Sequence, residues 1–322
     1  MKKHSILITG GSGFIGTQLV HELHEHDHNM VVMDRDVKHW NIPATIIQDD
    51  FYRFLPMCKA HYDTIIHLAA EHIIPHSLSN PEKYYANNVV KMKVLLDHMV
   101  SHGIKNIIFS STGNLYGRNG LTGSLKEDMY YDPQNPYASS KVAGELMIKD
   151  YARAYGIKYI IFRYFNAVGA DPNCRFGYVQ RPATHVIPIL CNKIINGEVF
   201  SIFGNDYPTK DGTCIRDYVH VADVARAHTL AIDLFDNNMA NQIFNIGGGS
   251  NGISIKDLVQ YAGEVIGKEP VIEYTSRRLG DPAILVADIT KAANLLNWGP
   301  KYNIKDAILH AWNWEKKFET SN

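Results

Sequence analysis

The sequence predicts an α/β protein: a doubly wound parallel sheet followed by a smaller C-terminal α/β unit that takes substrate. Three observations predict it. Short, wholly apolar runs alternate with longer helical patterns over the first half of the chain. A glycine turn joins the first run to the first helix. Beyond Gly169 the alternation gives way to irregular sequence with prolines and glycines. Strands that read as unbroken apolar runs are buried on both faces, as in parallel sheets covered by helices.

In order, residues 6–8 (Ile-Leu-Ile) are the first strand and 14–26 the first helix. Residues 30–33 are the second strand, and Thr45-Ile46-Ile47 is a further apolar run. The next strand, 64–66, ends in His67-Leu68-Ala69-Ala70. Residues 87–101 are helical and 106–110 a strand. Residues 137–155 form a long helix without internal proline, and 158–163 a strand. Periodicity is weak over 171–215. A helix at 221–234 and a buried strand at 242–246 follow, the latter running into Gly247-Gly248-Gly249. The remainder is mostly helical. The division expected is 1–172 plus 217–249 for a dinucleotide unit, and 173–216 with 250–322 for a substrate unit.

At 322 residues the chain can bury its core without staples. The net charge of −1 supplies no general field for nucleic acid or an anionic membrane, so an anionic substrate must meet local cations. Cys58, Cys174, Cys191 and Cys214 have no CxxC spacing and read as reduced thiols. No signal-like start and no long apolar run is present, which makes the cytoplasm the expected location.

Gly10-Gly11-Ser12-Gly13-Phe14-Ile15-Gly16 follows a strand and opens a helix. In a GxxGxxG turn one glycine permits the bend, one lets backbone N–H groups approach a pyrophosphate, and one lets helix and strand pack closely. Asp34, about 20 residues on, ends the second strand. A carboxylate there accepts ribose hydroxyls and repels a 2′-phosphate, which favours NAD. Arg35 keeps NADP open, and Asp36 is a second ribose candidate. Asp50-Phe51 is where an adenine contact is expected, and Leu68-Ala69-Ala70 offers a bare strand end to a cofactor.

Tyr137 and Lys141 form a YxxxK pair, one turn apart on a helix. An ammonium beside a phenol is expected to lower its pKa from about 10 and fit it to take a proton from a sugar hydroxyl. Ser110-Ser111-Thr112, at the end of the preceding strand, supplies a hydroxyl for the same substrate oxygen.

This order of motifs resembles the extended branch of the short-chain dehydrogenases/reductases, with its Rossmann fold. Residues 163–170 (RYFNAVGA), 203–221 (FGNDYPTKDGTCIRDYVHV) and 277–283 (RRLGDPA) are similar to blocks of the UDP-glucose 4-epimerase family. The likeness runs from about 6 to 298. It implies Thr112, Tyr137 and Lys141 as the catalytic trio. It places His72, Asn88, Ser110, Tyr164 and the backbone of Gly13, Phe14 and Ile15 in the NAD site. It also implies a UDP-sugar site of Asn166, His185, Val186, Ser201, Phe203, Arg216, Arg278 and Asp281. The implied reaction passes through a 4-keto sugar with NAD retained, in a homodimer paired through helices that include the one bearing Tyr137.

Three positions depart from the family. His72 stands where a lysine is common, Thr112 replaces serine, and Leu285 is intermediate at a position that gates N-acetylated sugars. Epimerisation of UDP-N-acetylglucosamine or UDP-glucuronate therefore stays open. A dehydratase or decarboxylase is disfavoured, because Thr112 is followed by Gly113-Asn114 rather than carboxylates. A silent NAD-binding protein and a net reductase are further alternatives. His21, His24, Asp27 and His28 read as a polar helix face rather than a metal site, His67 as a satisfied strand-end histidine, and Trp298, Trp312 and Trp314 as packing residues.

Overall fold

The computed structural model describes residues 2–37, 42–58, 60–278 and 281–320. Leu279 and Gly280 of the 277–283 block lie outside the described residues. Seven parallel strands form the main sheet: β1 (Ser5–Thr9), β2 (Asn29–Asp34), β3 (Thr45–Gln48), β4 (Thr64–His67), β5 (Asn106–Thr112), β6 (Lys158–Tyr164) and β11 (Gln242–Ile246). Their order is β11-β6-β5-β4-β1-β2-β3.

Successive strand residues point to opposite faces. Ile6 and Ile8 enter one core and Leu7 the other; Ile66 and Ile108 join the first, Ile65 and Ile107 the second. Burial on both faces explains why these strands are apolar throughout rather than alternating. The first core is closed by α1 (Phe14–Glu25), α8 (Val221–Asp236) and α10 (Thr290–Leu296). The second is closed by α2 (Phe51–Phe54), α5 (Lys91–Ser101) and α6 (Pro136–Tyr155). Short helices α3 (Ile74–Ser79) and α4 (Pro81–Tyr85) lead into α5.

A separate core joins α7 (Val186–Asn196), β8 (Phe200–Phe203), α9 (Ile255–Ile266) and α11 (Ile304–Thr320). Three small sheets link this half to the first. β7 (Asn166–Val168) pairs with β10 (Tyr218–His220), β9 (Ile215–Arg216) lies between β12 (Ile253–Ser254) and β14 (Ile284–Leu285), and β8 pairs with β13 (Ile272–Thr275).

Three differences from the sequence reading matter. The apolar run at 45–48 is a full edge strand. The helix expected over 87–101 starts as a π turn, Ala86–Val90, before α5. The chain after β5 winds into a 3-10 segment, Gly113–Thr122, kinked at Gly117. Such distortions arise from hydrogen bonds that the helical period does not encode.

Candidate active site

The strand order reverses between β1 and β4, which opens a crevice at their carboxyl ends. Gly10 leaves β1 at φ +74°, and a Cβ there would lie 2.6 Å from the Ala69 nitrogen. The turn after β1 thus lies directly on the Leu68-Ala69-Ala70 strand end. A Cβ on Gly16 would meet the Gly10 carbonyl at 2.5 Å, so this glycine lets α1 pack on the turn. Gly13 caps α1 without a side-chain bond, and no acid occupies the first turn. The open N–H groups of that helix end, which includes Phe14 and Ile15, suit an anion.

Asp34 sits at the same turn: the Ser12 N–H donates to its Oδ2 (3.1 Å) and the Asp36 N–H to its Oδ1 (3.3 Å). Arg35 turns away to Glu71, 3.3 Å from Oε1, which removes the reason to favour a 2′-phosphate there. These residues fit NAD. Asp50 and Phe51 offer it backbone only. The Asp50 carboxylate caps α2 and pairs with Lys91, while Phe51 is buried against His67. His67 is indeed a satisfied core histidine, 2.7 Å from the Thr9 hydroxyl.

Asn88 lies in the π turn and works as a staple. Its Oδ1 accepts from the Glu71 N–H, and its Nδ2 lies 2.9 Å from both the Glu71 carbonyl and the Ser140 hydroxyl. It fixes the strand end of the crevice to α6. The Tyr164 phenol is turned to His228 Nε2 at 2.6 Å, inside the first core.

The trio comes together at the crevice edge. Asn135 and Pro136 start α6, the Asn135 side chain accepting from the Ala138 N–H at 2.9 Å, which sets Tyr137 on the first turn. Thr112 ends β5 near the Tyr137 phenol, on which its hydroxyl acts to lower the pKa. Asn114 donates to Thr112 Oγ1 from both its backbone and its side chain (3.2 and 3.1 Å). With these two bonds accepted, the Thr112 proton is left to be donated. Sequence reading used Asn114 only as the absence of a carboxylate; a polar side chain two residues after a hydroxyl was the available signal.

The expected lowering of the Tyr137 pKa is not found. Burial pushes the phenol up to about 12, outweighing the Thr112 bond. Burial likewise pushes the Lys141 amine down to about 7, against the pull of Glu145. The Lys141 nitrogen donates to the Ser110 carbonyl at 2.7 Å and lies over the Phe109 ring. The reason is physical: a phenol and an amine buried separately each resist charging, and they offset each other only as a contacting phenolate and ammonium.

In the second half, on β9, Arg216 donates through Nη1 to the Ile215 carbonyl (2.9 Å), while its buried Nη2 has no hydrogen-bond partner; Asp281 Oδ2 is 3.6 Å away. An orphaned buried guanidinium nitrogen is costly without an acceptor and fits a phosphate oxygen. Arg278 lies over the Phe203 ring at 3.9 Å. His185 caps α7, followed by Val186, with its ring 5.9 Å from His72 and 4.9 Å from Tyr178. His72 is exposed, and partial desolvation lowers its pKa. Asn166 donates to the Asp217 carbonyl at 3.0 Å. Ser201 is turned to Glu273 (2.7 Å) on the β8–β13 pair.

Elsewhere the discounted groups are engaged in packing. His21 stacks on Phe176, and His28 Nδ1 accepts from the His4 N–H. All four cysteines are free thiols, and none of the described helices is long and apolar enough to cross a membrane.

A doubly wound sheet whose open glycine turn faces an acid, with a Thr–Tyr–Lys cluster at the neighbouring strand end, defines an NAD-dependent enzyme of the extended short-chain dehydrogenase/reductase class. The profile of the NAD dependent epimerase/dehydratase family matches residues 6–247. A UDP-glucose 4-epimerase from Halalkalibacterium halodurans is 39% identical over 322 residues, covering 97% of this chain and 96% of that protein. The crystal structure of UDP-glucose 4-epimerase from Brucella ovis in complex with NAD is 36% identical, with a TM-score of 0.89 over 96% of this chain and 97% of the other. The Bifidobacterium longum enzyme in complex with NAD+ and UDP is 29% identical, with a TM-score of 0.90 over 99% of this chain and 100% of that one. The chain belongs to the NAD dependent epimerase/dehydratase family.

Proposed function

We propose that the protein is a UDP-glucose 4-epimerase, interconverting UDP-galactose and UDP-glucose through a 4-keto sugar. What supports this reading is the Thr112–Tyr137–Lys141 cluster at the carboxyl end of the sheet, in a chain that also presents the buried Arg216 Nη2 without a hydrogen bond. The glycine turn and Asp34 would hold NAD, whose nicotinamide would supply reversible hydride chemistry at the sugar C4.

The chain's own residues do the rest. Tyr137 takes the proton of the sugar 4-hydroxyl at its phenol oxygen, and Thr112 donates to the same region. Lys141, one turn along α6, supplies the positive charge that balances a phenolate. Arg216 and Arg278 hold the diphosphate, with Asn166, His185, Val186, Ser201, Phe203 and Asp281 completing the sugar-nucleotide wall. Return of the proton from Tyr137 after the keto sugar turns over completes the cycle. Residues 1–172 with 217–249 serve the cofactor, and 173–216 with 250–322 the sugar nucleotide.

Among UDP-sugars, UDP-galactose is the first choice, which fits a place in galactose metabolism. Leu285, the position relevant to N-acetyl groups, is buried among Leu115, Tyr116 and Phe165. Its size therefore acts on the sugar through that cluster. A homodimer through α5 and α6 is supported by exposed apolar side chains on these helices, Val100, Leu146 and Tyr155, and by Val90 in the turn before α5. A reducing cytoplasm suits the four free thiols.

Proton NMR of the purified protein with UDP-galactose and no added cofactor tests the reading. The expected result is an anomeric signal of UDP-glucose growing to an equilibrium mixture. No change, even with added NAD, would rule out this substrate and direct the assay to UDP-N-acetylgalactosamine and UDP-glucuronate.

A further inference from the structure

Two successive residues of β5 are joined to two successive turns of α6. The Ser110 carbonyl accepts from Lys141 and the Ser111 hydroxyl donates to Glu145 Oε1 at 2.5 Å, while Thr112, next on β5, acts on Tyr137, one turn earlier on α6. Tyr137, Lys141 and Glu145 stand at i, i+4 and i+8, so they share one helix face. Glu145 is the anchor of this row. It is fully buried and is gripped by Arg163 of β6, with Nε 3.0 Å from Oε1 and Nη2 2.8 Å from Oε2. Tyr131 donates to the same Oε2 at 3.0 Å. Ser111 and Arg163 are register partners in the sheet, so two adjacent strands converge on one carboxylate. Burying an ion pair gives little net stability over apolar packing. Its retention beneath two reacting groups calls for another reason.

We propose that Glu145 is a positioning residue of the reaction: through Arg163 and Ser111 it fixes the Tyr137–Lys141 face of α6 against the end of β5, and its negative charge, one turn along the same face, favours the ammonium form of Lys141. This rests on the reading of Tyr137 and Lys141 above. The groups that meet Lys141 from other elements do not supply that charge. His67 of β4 is held neutral by burial, the pKa of His72 beyond it is lowered, Phe109 presents a ring, and Ser110 a carbonyl. The carboxylate whose charge acts on Lys141 is Glu145.

The test is Glu145→Gln in the full-length protein as purified. With 13Cε-lysine labelling, the signal of Lys141, identified by its loss in Lys141→Met, is titrated by NMR without any substrate. Its midpoint is expected to move to lower pH by about one unit or more relative to wild type. In the UDP-galactose assay the alkaline limb of kcat should move with it, while KM changes less than about threefold. Glu145→Asp, which keeps the charge, should restore the wild-type midpoint. If the single variant does not fold, Glu145→Gln with Arg163→Gln leaves no buried charge unpaired and should still lower the Lys141 midpoint, by less than Glu145→Gln because the Arg163 charge is removed as well. An unmoved Lys141 midpoint in a folded variant lacking the Glu145 charge would overturn the proposal, as would an Asp variant that titrates like Gln. If wild type itself fails to convert UDP-galactose, the epimerase reading falls, and the lysine titration still decides the role of Glu145.

Discussion

At the residue scale, the chemistry depends on a few atoms whose partners are known. Tyr137→Phe removes the proton acceptor and leaves the crevice intact. Turnover of UDP-galactose should fall by a factor of about 10³ or more, while NAD released from heat-denatured protein stays at the wild-type ratio. Near-normal turnover in that variant would remove Tyr137 from the mechanism. Arg216 has one nitrogen bonded to a carbonyl and a second that makes no hydrogen bond and lies 3.6 Å from Asp281. Arg216→Ala should weaken UDP binding by roughly 10–100-fold, as expected for losing a charge-assisted hydrogen bond of about 1.5–3 kcal/mol, read by calorimetry with UDP. An unchanged affinity would place the diphosphate elsewhere.

At the element scale, two local devices position the site. The turn after β1 depends on Gly10, whose φ of +74° and contact with the Ala69 backbone leave no room for a side chain. Gly10→Ala should cost about 1–3 kcal/mol of backbone strain and shift the turn, so the variant should purify with less NAD than wild type. The start of α6 depends on the Asn135 cap. Asn135→Ala should lower unfolding free energy by about 1 kcal/mol in denaturant titration, and should lower kcat too, because Tyr137 is two residues on. A loss of stability with full kcat would mean that the first turn holds Tyr137 without its cap.

At the scale of the whole molecule, stability is linked to pH through buried histidines. Burial holds His67 and His220 at about 3 and His228 at about 4. These folded values lie below the unfolded value of about 6.5. Their contribution is therefore present above pH 6.5 and is lost as pH falls, at about 1.4 kcal/mol per unit for each. Two carboxyls act in the opposite sense. Burial raises Asp217 to about 6 and Glu315 to about 7, so each favours the fold as pH falls. The histidine shifts are more numerous and larger, so Tm should drop by a few degrees between pH 7.5 and pH 5. A Tm that rises over that interval would mean the carboxyls dominate. The exposed apolar side chains of α5 and α6 belong to this scale as well: if these helices form the proposed dimer, Leu146→Glu should leave a monomer in sedimentation velocity.

Much of this was legible in the chain alone. Every long strand of the first half could be read because both its faces are buried, so the apolar run is continuous and the hydrophobic effect writes it into consecutive residues. The glycine turn, Asp34 and the Tyr137–Lys141 spacing were legible because they obey local rules of backbone freedom and helical period. What the sequence could not give was set by contacts between residues far apart. Arg35 became a partner of Glu71, Asn88 a staple from a π turn to Ser140, and Asp50 a cap and ion-pair partner. The pKa values of Tyr137 and Lys141 also belong to the tertiary structure. A spacing of four residues says that a phenol and an amine share a helix face, but burial is a property of everything packed around them, and here it outweighs their mutual attraction. The anchor beneath them, Glu145 with Arg163, exists only because two neighbouring strands bring Ser111 and Arg163 to one point over the helix.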